Sequence, residues 1–252
     1  MKQPVFKITL CYLLFYFGMW ASKTIHPLYW QSLGDLPLFS ISYAIMAVAG
    51  AFSIFWSRIV TRLGTRHALM LGASLYTLGL LLRGVPPDII IAAASGFIAG
   101  MGASISILAM KNWIFAFDEP DRPKTISMIV NAEKSAQLLG TFSAGWLVLL
   151  FNVTGSIPFS PALILVALFP LISLLFMPRF IKLDNPQKKG GMKSHTIREL
   201  IQHNPKFVIA ILAALFLSGL YSAVLLPLIP IYLHDGGLSM SALSTIWVPR
   251  AS

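Results

Sequence analysis

The amino-acid sequence predicts an all-α membrane protein whose helices cross a bilayer repeatedly and pack together as a bundle. Of its 252 residues, 56% are hydrophobic and only 11% are charged. The mean hydropathy of +0.76 is well above what the core of a soluble domain requires. The charged residues fall in short gaps between long apolar runs. The formal charge of +10 therefore reflects membrane topology, and the pattern argues against a nucleic-acid-binding surface.

The apolar runs are long enough to be transmembrane helices. A bilayer core about 30 Å thick needs roughly 20 apolar residues in a helix. Windows of this kind occupy 7–30, 38–57, 68–85, 88–110, 125–151, 159–178 and 207–231. The single cysteine, Cys11, lies inside the first window, where the sequence offers it no disulfide or metal-binding partner. We therefore predict seven spans and neither a metal nor a cofactor.

The basic residues are distributed unevenly between the two ends of these spans. An N-terminus in the cytoplasm leaves only Arg83 and Arg250 on the outer side. The positive-inside rule therefore predicts a multi-pass plasma-membrane protein, of the bacterial inner-membrane type, with a cytoplasmic N-terminus. The residues then placed on the cytoplasmic side are Lys2, Lys7, Arg58, Arg62, Arg66, Lys111, Arg122, Lys124, Arg179, Lys182, Lys188, Lys189, Lys193, Arg198 and Lys206.

The span order divides the chain into three parts. We predict a six-helix transmembrane bundle over 1–178, a cytoplasmic basic linker with a short amphipathic helix over 179–206, and the start of a second bundle over 207–252. Ser239 is suited to cap an eighth helix that the printed sequence does not complete. The sequence thus predicts a truncated chain that lacks its C-terminal half and does not transport by itself.

The segment "SRIVTRLGTRH" at 57–67 lies between the second and third windows. With six spans and a basic central loop, it resembles the major facilitator superfamily, whose motif at this place is Gly-x-x-x-Asp-(Arg/Lys)-x-Gly-Arg-(Arg/Lys)-(Arg/Lys). The match holds at Arg62, Gly64 and Arg66, is tolerable at His67, and fails at Ser57, Thr61 and Thr65. Another interpretation of these arginines is positive-inside anchoring alone.

The resemblance implies a cytoplasmic gate formed by Arg58, Thr61, Arg62, Gly64 and Arg66. In the superfamily, an acidic residue at the position of Thr61 helps to hold the cytoplasmic side closed. Because Thr61 has a hydroxyl but no charge, we expect a weaker lock here.

Ionisable and polar residues inside the spans are candidates for the transport pathway, because charge is costly at that depth. Lys23 interrupts the first span and His26 follows within one turn. We include His26 in the pathway, although an interfacial polar role is favoured for it. The fifth span adds the cluster "NAEKSAQ", which contains Asn131, Glu133, Lys134 and Gln137.

Glu133 is the residue to which we assign proton coupling. It lies about 13 Å from the start of its helix at 1.5 Å per residue, well inside the hydrocarbon region. It is predicted to act as a proton carrier or substrate counter-charge, with Lys23 or Lys134 as its partner. The alternative is a buried ion pair that only docks the first span against the fifth.

The resemblance implies secondary active transport of a small molecule by alternating access between two rocking halves. Efflux of small amphiphilic compounds is preferred over uptake, with protons as the coupling ion. Gly96, Gly100 and Gly102 in "GFIAGMGAS" predict a small-residue face for close helix packing.

Two other classes of membrane protein are alternatives, a seven-span receptor and an intramembrane enzyme. The charge bias opposes the first, and the absence of metal-binding or nucleophile motifs in the spans opposes the second.

Overall fold

The structure, a computed structural model, describes residues 3–86, 88–115, 122–152, 159–178 and 226–237, together with residues 205, 209, 210 and 213. Every regular element within these ranges is helical. The elements are α1 (Gln3–Ser32), α2 (Leu36–Ala51), α3 (Ser53–Leu82), α4 (Ile89–Phe115), α5 (Arg122–Asn152), α6 (Phe159–Ala167), α7 (Phe169–Ser173), a 3₁₀ turn (Leu174–Phe176) and α8 (Leu226–Asp235). The predicted all-α helical bundle is confirmed.

Helix α1 is the centre of the arrangement. It packs mainly against α5 on one side and against α6 and α7 on another, whereas α4 packs between α2 and α3. Helix α8 also contacts α1, and Gln31 Nε2 donates to Asp235 Oδ1 at 2.8 Å. Gly18 of α1 allows α6 and α7 to approach closely, since a Cβ built on it would lie 2.8 Å from the Val166 carbonyl oxygen.

Within the described residues, three helical stretches are long and apolar enough to cross a membrane by themselves. They are Val5–Ser32, Ile89–Ile114 and Phe159–Phe176, and the pair Leu36–Ala51 and Phe55–Leu82 makes a fourth if it forms one bent span. Helix α5 is equally long but is more polar, owing to the cluster at 131–137. The window at 207–231, the linker at 179–206 and the proposed cap at Ser239 lie largely or wholly outside the described residues.

Helix α2 ends at Ala51, earlier than the predicted window of 38–57, and the chain bends at Phe52 before becoming helical again. The indole Nε1 of Trp56 donates to the Ala49 carbonyl at 2.8 Å. A tryptophan side chain thus satisfies a carbonyl at the end of α2, where the backbone ladder is interrupted.

A second break falls at Gly64, inside α3. Its φ of 74° and ψ of 156° are not helical, and a positive φ of this kind favours glycine because it has no Cβ. The glycine of the 57–67 segment therefore ends the helical stretch that begins at Ser53 and starts the longer one that continues to Leu82. What the sequence presents as a loop between two spans is a pair of helical segments joined at a single glycine.

The contact faces of α4 are made of small residues, as the sequence predicts. A Cβ on Gly96 would collide with the Ser42 carbonyl oxygen of α2, and a Cβ on Gly102 would collide with the Tyr76 backbone nitrogen of α3. The side chains of Ser42 and Ser95 add a hydrogen bond of 3.0 Å between α2 and α4. Backbones can approach this closely because glycine and serine occupy the contact, which favours association of helices in lipid.

Candidate substrate pathway

Lys23 lies about two thirds of the way along α1, where the helix also contains a proline. Its side chain is half-buried, and Nζ lies 4.6 Å from the centre of the Trp20 ring, a distance suited to a cation–π contact. Pro27 follows four residues later inside the helix. Since proline has no N–H, the carbonyl of Lys23 loses its normal helical partner. The ammonium group and this carbonyl together make this part of α1 polar.

Glu133 lies on α5, which packs along α1. The side chain is half-buried and within electrostatic range of Lys23, Tyr12 and Tyr16, all on α1. No lysine or arginine among the described residues forms an ion pair with it within 4.0 Å. The structure therefore brings Glu133 towards Lys23 without forming the direct ion pair considered from the sequence.

The remaining polar residues of the α5 cluster are distributed around the helix. Gln137 is half-buried, as Glu133 is, whereas Asn131 and Lys134 are exposed. Of the two partners predicted for Glu133, Lys23 is the one on the facing helix. Lys134 points away from the interior of the described bundle.

His26 lies inside the bundle rather than at its surface. Its side chain is fully buried, and its ring makes edge contacts with Trp30 at 4.4 Å and Phe39 at 5.1 Å between centroids. Neither ring nitrogen has a hydrogen-bond partner within the described structure. The side chain is therefore enclosed by aromatic rings of α1 and α2, and the interfacial role favoured from the sequence, which concerns its depth in the bilayer, stays a prediction.

Arg83 is the functional candidate that the sequence analysis missed. The charge pattern places it on the outer side as an exception, but its side chain turns inward and is fully buried. Nη1 donates to Ser22 Oγ at 3.2 Å, and Nη2 contacts Met46 Sδ at 3.0 Å. The sequence contained one indication of this role. Arg83 lies on the predicted outer side, whereas nearly all other basic residues outside the spans lie on the cytoplasmic side, so the rule that explains those residues does not explain Arg83.

The backbone at this end of α3 is fixed by side chains from two other helices. Trp30 Nε1 donates to the Arg83 carbonyl at 3.3 Å, and Ser160 Oγ donates to the Gly84 carbonyl at 2.6 Å. These bonds satisfy carbonyls that have no helical partner after Leu82. Helices α1 and α6 thus hold the end of α3 in the position from which the Arg83 side chain reaches inward.

The predicted gate residues lie around the break at Gly64. The side chains of Arg58, Arg62 and Arg66 are exposed, and the Arg58 guanidinium lies 6.0 Å from the Phe55 ring centre. Thr61 Oγ1 donates to the Ser57 carbonyl one turn earlier, at 2.9 Å. This local bond uses the only proton that the Thr61 hydroxyl can donate.

A metal centre finds no support in the described part of the chain, where no three histidine, cysteine, aspartate or glutamate residues are grouped. A search of curated proteins by sequence finds no match to this chain. The family model of the Major Facilitator Superfamily matches residues 8–251, which is nearly the whole sequence. Members of this superfamily are secondary transporters of small molecules rather than enzymes. The chain, an all-α multi-pass membrane protein, belongs to the major facilitator superfamily.

Proposed function

We propose that this protein couples the movement of a small molecule to protons, and that Glu133 carries the proton. The observation that supports this role is the position of Glu133, half-buried on α5 and facing α1, with Lys23 within electrostatic range but no ion pair to a described residue. An ionisable residue in the membrane interior is costly unless it is paired, so a residue of this kind at that depth is a candidate for a functional role.

The same geometry argues against the docking alternative. A pair that only holds α1 against α5 requires direct contact between the two charges, since the cost of burying them is otherwise not offset. Glu133 and Lys23 influence one another without such contact. An interaction of this kind changes as water enters or leaves the space between the helices, as a coupling group requires.

We further propose that the N-terminus lies in the cytoplasm of a bacterial cell, that the protein resides in the inner membrane, and that efflux is the direction of transport. The exposed basic residues of the described helices support the orientation, because they lie near the start of α1, between α2 and the later part of α3, near the end of α4 and near the start of α5. These residues are Lys7, Arg58, Arg62, Arg66, Lys111 and Lys124. Helices that cross a membrane in alternating directions bring these positions to the same end. The hydrogen bond between Gln31 and Asp235 lies at the opposite end. In an alternating-access cycle this bond between α1 and α8 would form when the outer side closes.

Replacing Glu133 with glutamine tests the coupling. Inverted membrane vesicles that contain a complete superfamily transporter with this N-terminal bundle are given an acidic interior, and the accumulation of positive, neutral and negative fluorescent amphiphiles is followed. We expect accumulation of at least one of them to depend on the pH gradient, and this dependence to be lost in Glu133→Gln. Asp35→Asn is the matched control, since Asp35 is a carboxylate outside the α1–α5 contact that makes no side-chain capping bond at the start of α2.

Three results would contradict the proposal. Equal gradient dependence in the wild-type protein and Glu133→Gln would show that another group carries the proton. Loss of the dependence in Asp35→Asn to the same degree would show that any carboxylate change disturbs the bundle. Dye accumulation that ignores the gradient in the wild-type protein would contradict proton coupling altogether.

A further inference from the structure

We propose that Arg83, His26 and Tyr43 form a binding site for the carboxylate group of an apolar, aromatic organic acid. The site lies between α1, α2 and the end of α3. This substrate class rests on the proposed transport function and specifies it further, because it identifies the chemical group that the bundle would recognise.

The geometry brings the three side chains to one place. Arg83 contacts Ser22 on α1 and Met46 on α2. His26 is one turn beyond Ser22, and Tyr43 is about one turn before Met46, so each shares a helix face with an Arg83 contact. Arg83 is within electrostatic range of both His26 and Tyr43. The guanidinium therefore lies at the centre of residues from three helices.

The site has more hydrogen-bond donors than acceptors. Arg83 Nε, the Tyr43 hydroxyl and both His26 ring nitrogens are buried and have no partner in the described structure. Arg83 Nε–H and the Tyr43 hydroxyl can donate, as can the one ring nitrogen of a neutral histidine that carries the proton. One of the two contacts that the guanidinium does make is to a thioether sulfur, which is a weak acceptor. The guanidinium forms no ion pair with a described carboxylate. A bound anion would supply the acceptors that these groups lack.

The missing charge is best matched by a carboxylate. An arginine presents two parallel N–H groups to the two oxygens of such an anion, and these charge-assisted bonds are among the strongest in proteins. The contact between Nη2 and Met46 Sδ is the weaker of the two present and is the one that an entering carboxylate would replace. Ser22 would remain in place on the other side of the guanidinium.

The walls of the site favour an aromatic body behind the carboxylate. His26 lies against Trp30 and Phe39, and Phe39 lies 5.1 Å from Tyr43 between ring centres. The side chains of all four residues are buried. Flat rings stack well on such surfaces, whereas a small hydrated inorganic anion would gain nothing from them. The aromatic side chains thus favour a ring at one end of the bound molecule, and the guanidinium of Arg83 favours a carboxylate at the other.

Benzoate is a suitable probe, and the native Cys11 provides the readout. Cys11 is buried, so a fluorogenic maleimide labels it only when the bundle opens, and labelling during heating gives a melting curve. We expect benzoate to raise the melting temperature of the purified chain saturably. Benzyl alcohol and benzylammonium, which have the same ring without the negative charge, should not do so at equal ionic strength.

Three substitutions locate the site. Arg83→Gln should abolish the shift caused by benzoate. Arg83→Lys keeps the positive charge and serves as a second test in case Arg83→Gln does not fold. It should weaken the apparent affinity for benzoate about tenfold or more, because the second N–H bond to the anion is lost. Tyr43→Phe keeps the ring and should also weaken it. Lys111→Gln, which removes an exposed cation on α4, should leave the shift unchanged.

The proposal would be overturned by a wild-type protein without a shift, or by Arg83→Gln with an undiminished one. An equal shift with chloride or inorganic phosphate would identify a simple anion site instead. An equal shift with glycerol phosphate would assign the site to a lipid headgroup. Benzoate binding requires no pH gradient, so the two proposals can fail separately. Saturable benzoate binding together with gradient-independent transport would refute proton coupling but not the carboxylate site. Gradient-driven accumulation without any benzoate shift would refute only the carboxylate site.

Discussion

Replacing Gly79 with alanine should loosen the contact between α3 and α4. A Cβ on Gly79 would lie 2.5 Å from the Ala99 backbone nitrogen and 2.8 Å from its Cα. These atoms belong to the backbone of α4 and cannot turn away as a flexible side chain can, so the helices must separate. Overpacking of this kind costs about 1–3 kcal/mol, which corresponds to roughly a five- to 150-fold increase in the open population.

The rate at which a maleimide labels Cys11 measures this increase. Cys11 is fully buried beside Ser173 of α7 and belongs to the same hydrophobic cluster as Ala99 and Tyr76. Loosening of the bundle that spreads from the α3–α4 contact through this cluster therefore exposes it. With opening and closing faster than the labelling reaction, the rate follows the open population. Gly79→Ala should therefore label faster by the factor given above at the same temperature.

Gly50→Ala is the matched control. Its Cβ would meet Ser104 Oγ at 3.7 Å, an ordinary contact distance, and alanine is the better helix former. We expect labelling of Cys11 no faster than in the wild-type protein. Labelling of Gly79→Ala at the wild-type rate, or an equal acceleration in both variants, would refute the argument from backbone contact.

Three further changes give smaller expected effects, each measurable by the same labelling. Trp30→Phe keeps the ring but removes the bond to the Arg83 carbonyl, and should cost about 0.5–1.5 kcal/mol; labelling at the wild-type rate would contradict this. Ser42→Ala removes the bond to Ser95 and should cost about 0.6 kcal/mol, the average for such bonds between membrane helices; a cost of several kcal/mol would contradict it. Thr61→Asp should slow labelling slightly, by less than about 1 kcal/mol, because a carboxylate among the motif's arginines favours closure at that end. Thr61→Asn is its neutral control, and equal rates in the two variants would refute the role of charge.

The sequence predicts the helices well because their signal is local. A run of about 20 apolar residues is a property of one segment, and the windows at 7–30, 88–110 and 159–178 correspond to helices that pass the length and hydropathy requirement. The contact face at Gly96 and Gly102 is also local, since only small residues let a backbone approach. The breaks at Phe52 and Gly64 are harder to predict from the sequence, because an apolar window does not indicate where the helix within it is interrupted.

The candidate site depends on where long side chains turn, and a hydropathy pattern does not contain this information. Arg83 sits where α3 ends, and from that position its stem can reach outward to water or back into the bundle. The bonds from Trp30 and Ser160 to the carbonyls at 83 and 84 come from helices far away in the sequence. They fix the end of α3, and Ser22 and Met46 offer the guanidinium polar contacts inside.

The same reasoning explains why the predicted ion pair of Glu133 and Lys23 is not formed as a direct contact. Helix periodicity correctly identifies residues that share a face, but the distance between two faces depends on packing at other positions. Along α1 and α5 that packing is set by Gly140, where a Cβ would lie 2.8 Å from the Phe17 carbonyl oxygen. Helices α1 and α5 therefore approach closely at Gly140, two turns after Glu133 along α5. Glu133 and Lys23 remain within electrostatic range of one another. The position of Glu133 near Lys23 and without an ion pair to a described residue, more than the charges themselves, makes Glu133 the group to test first.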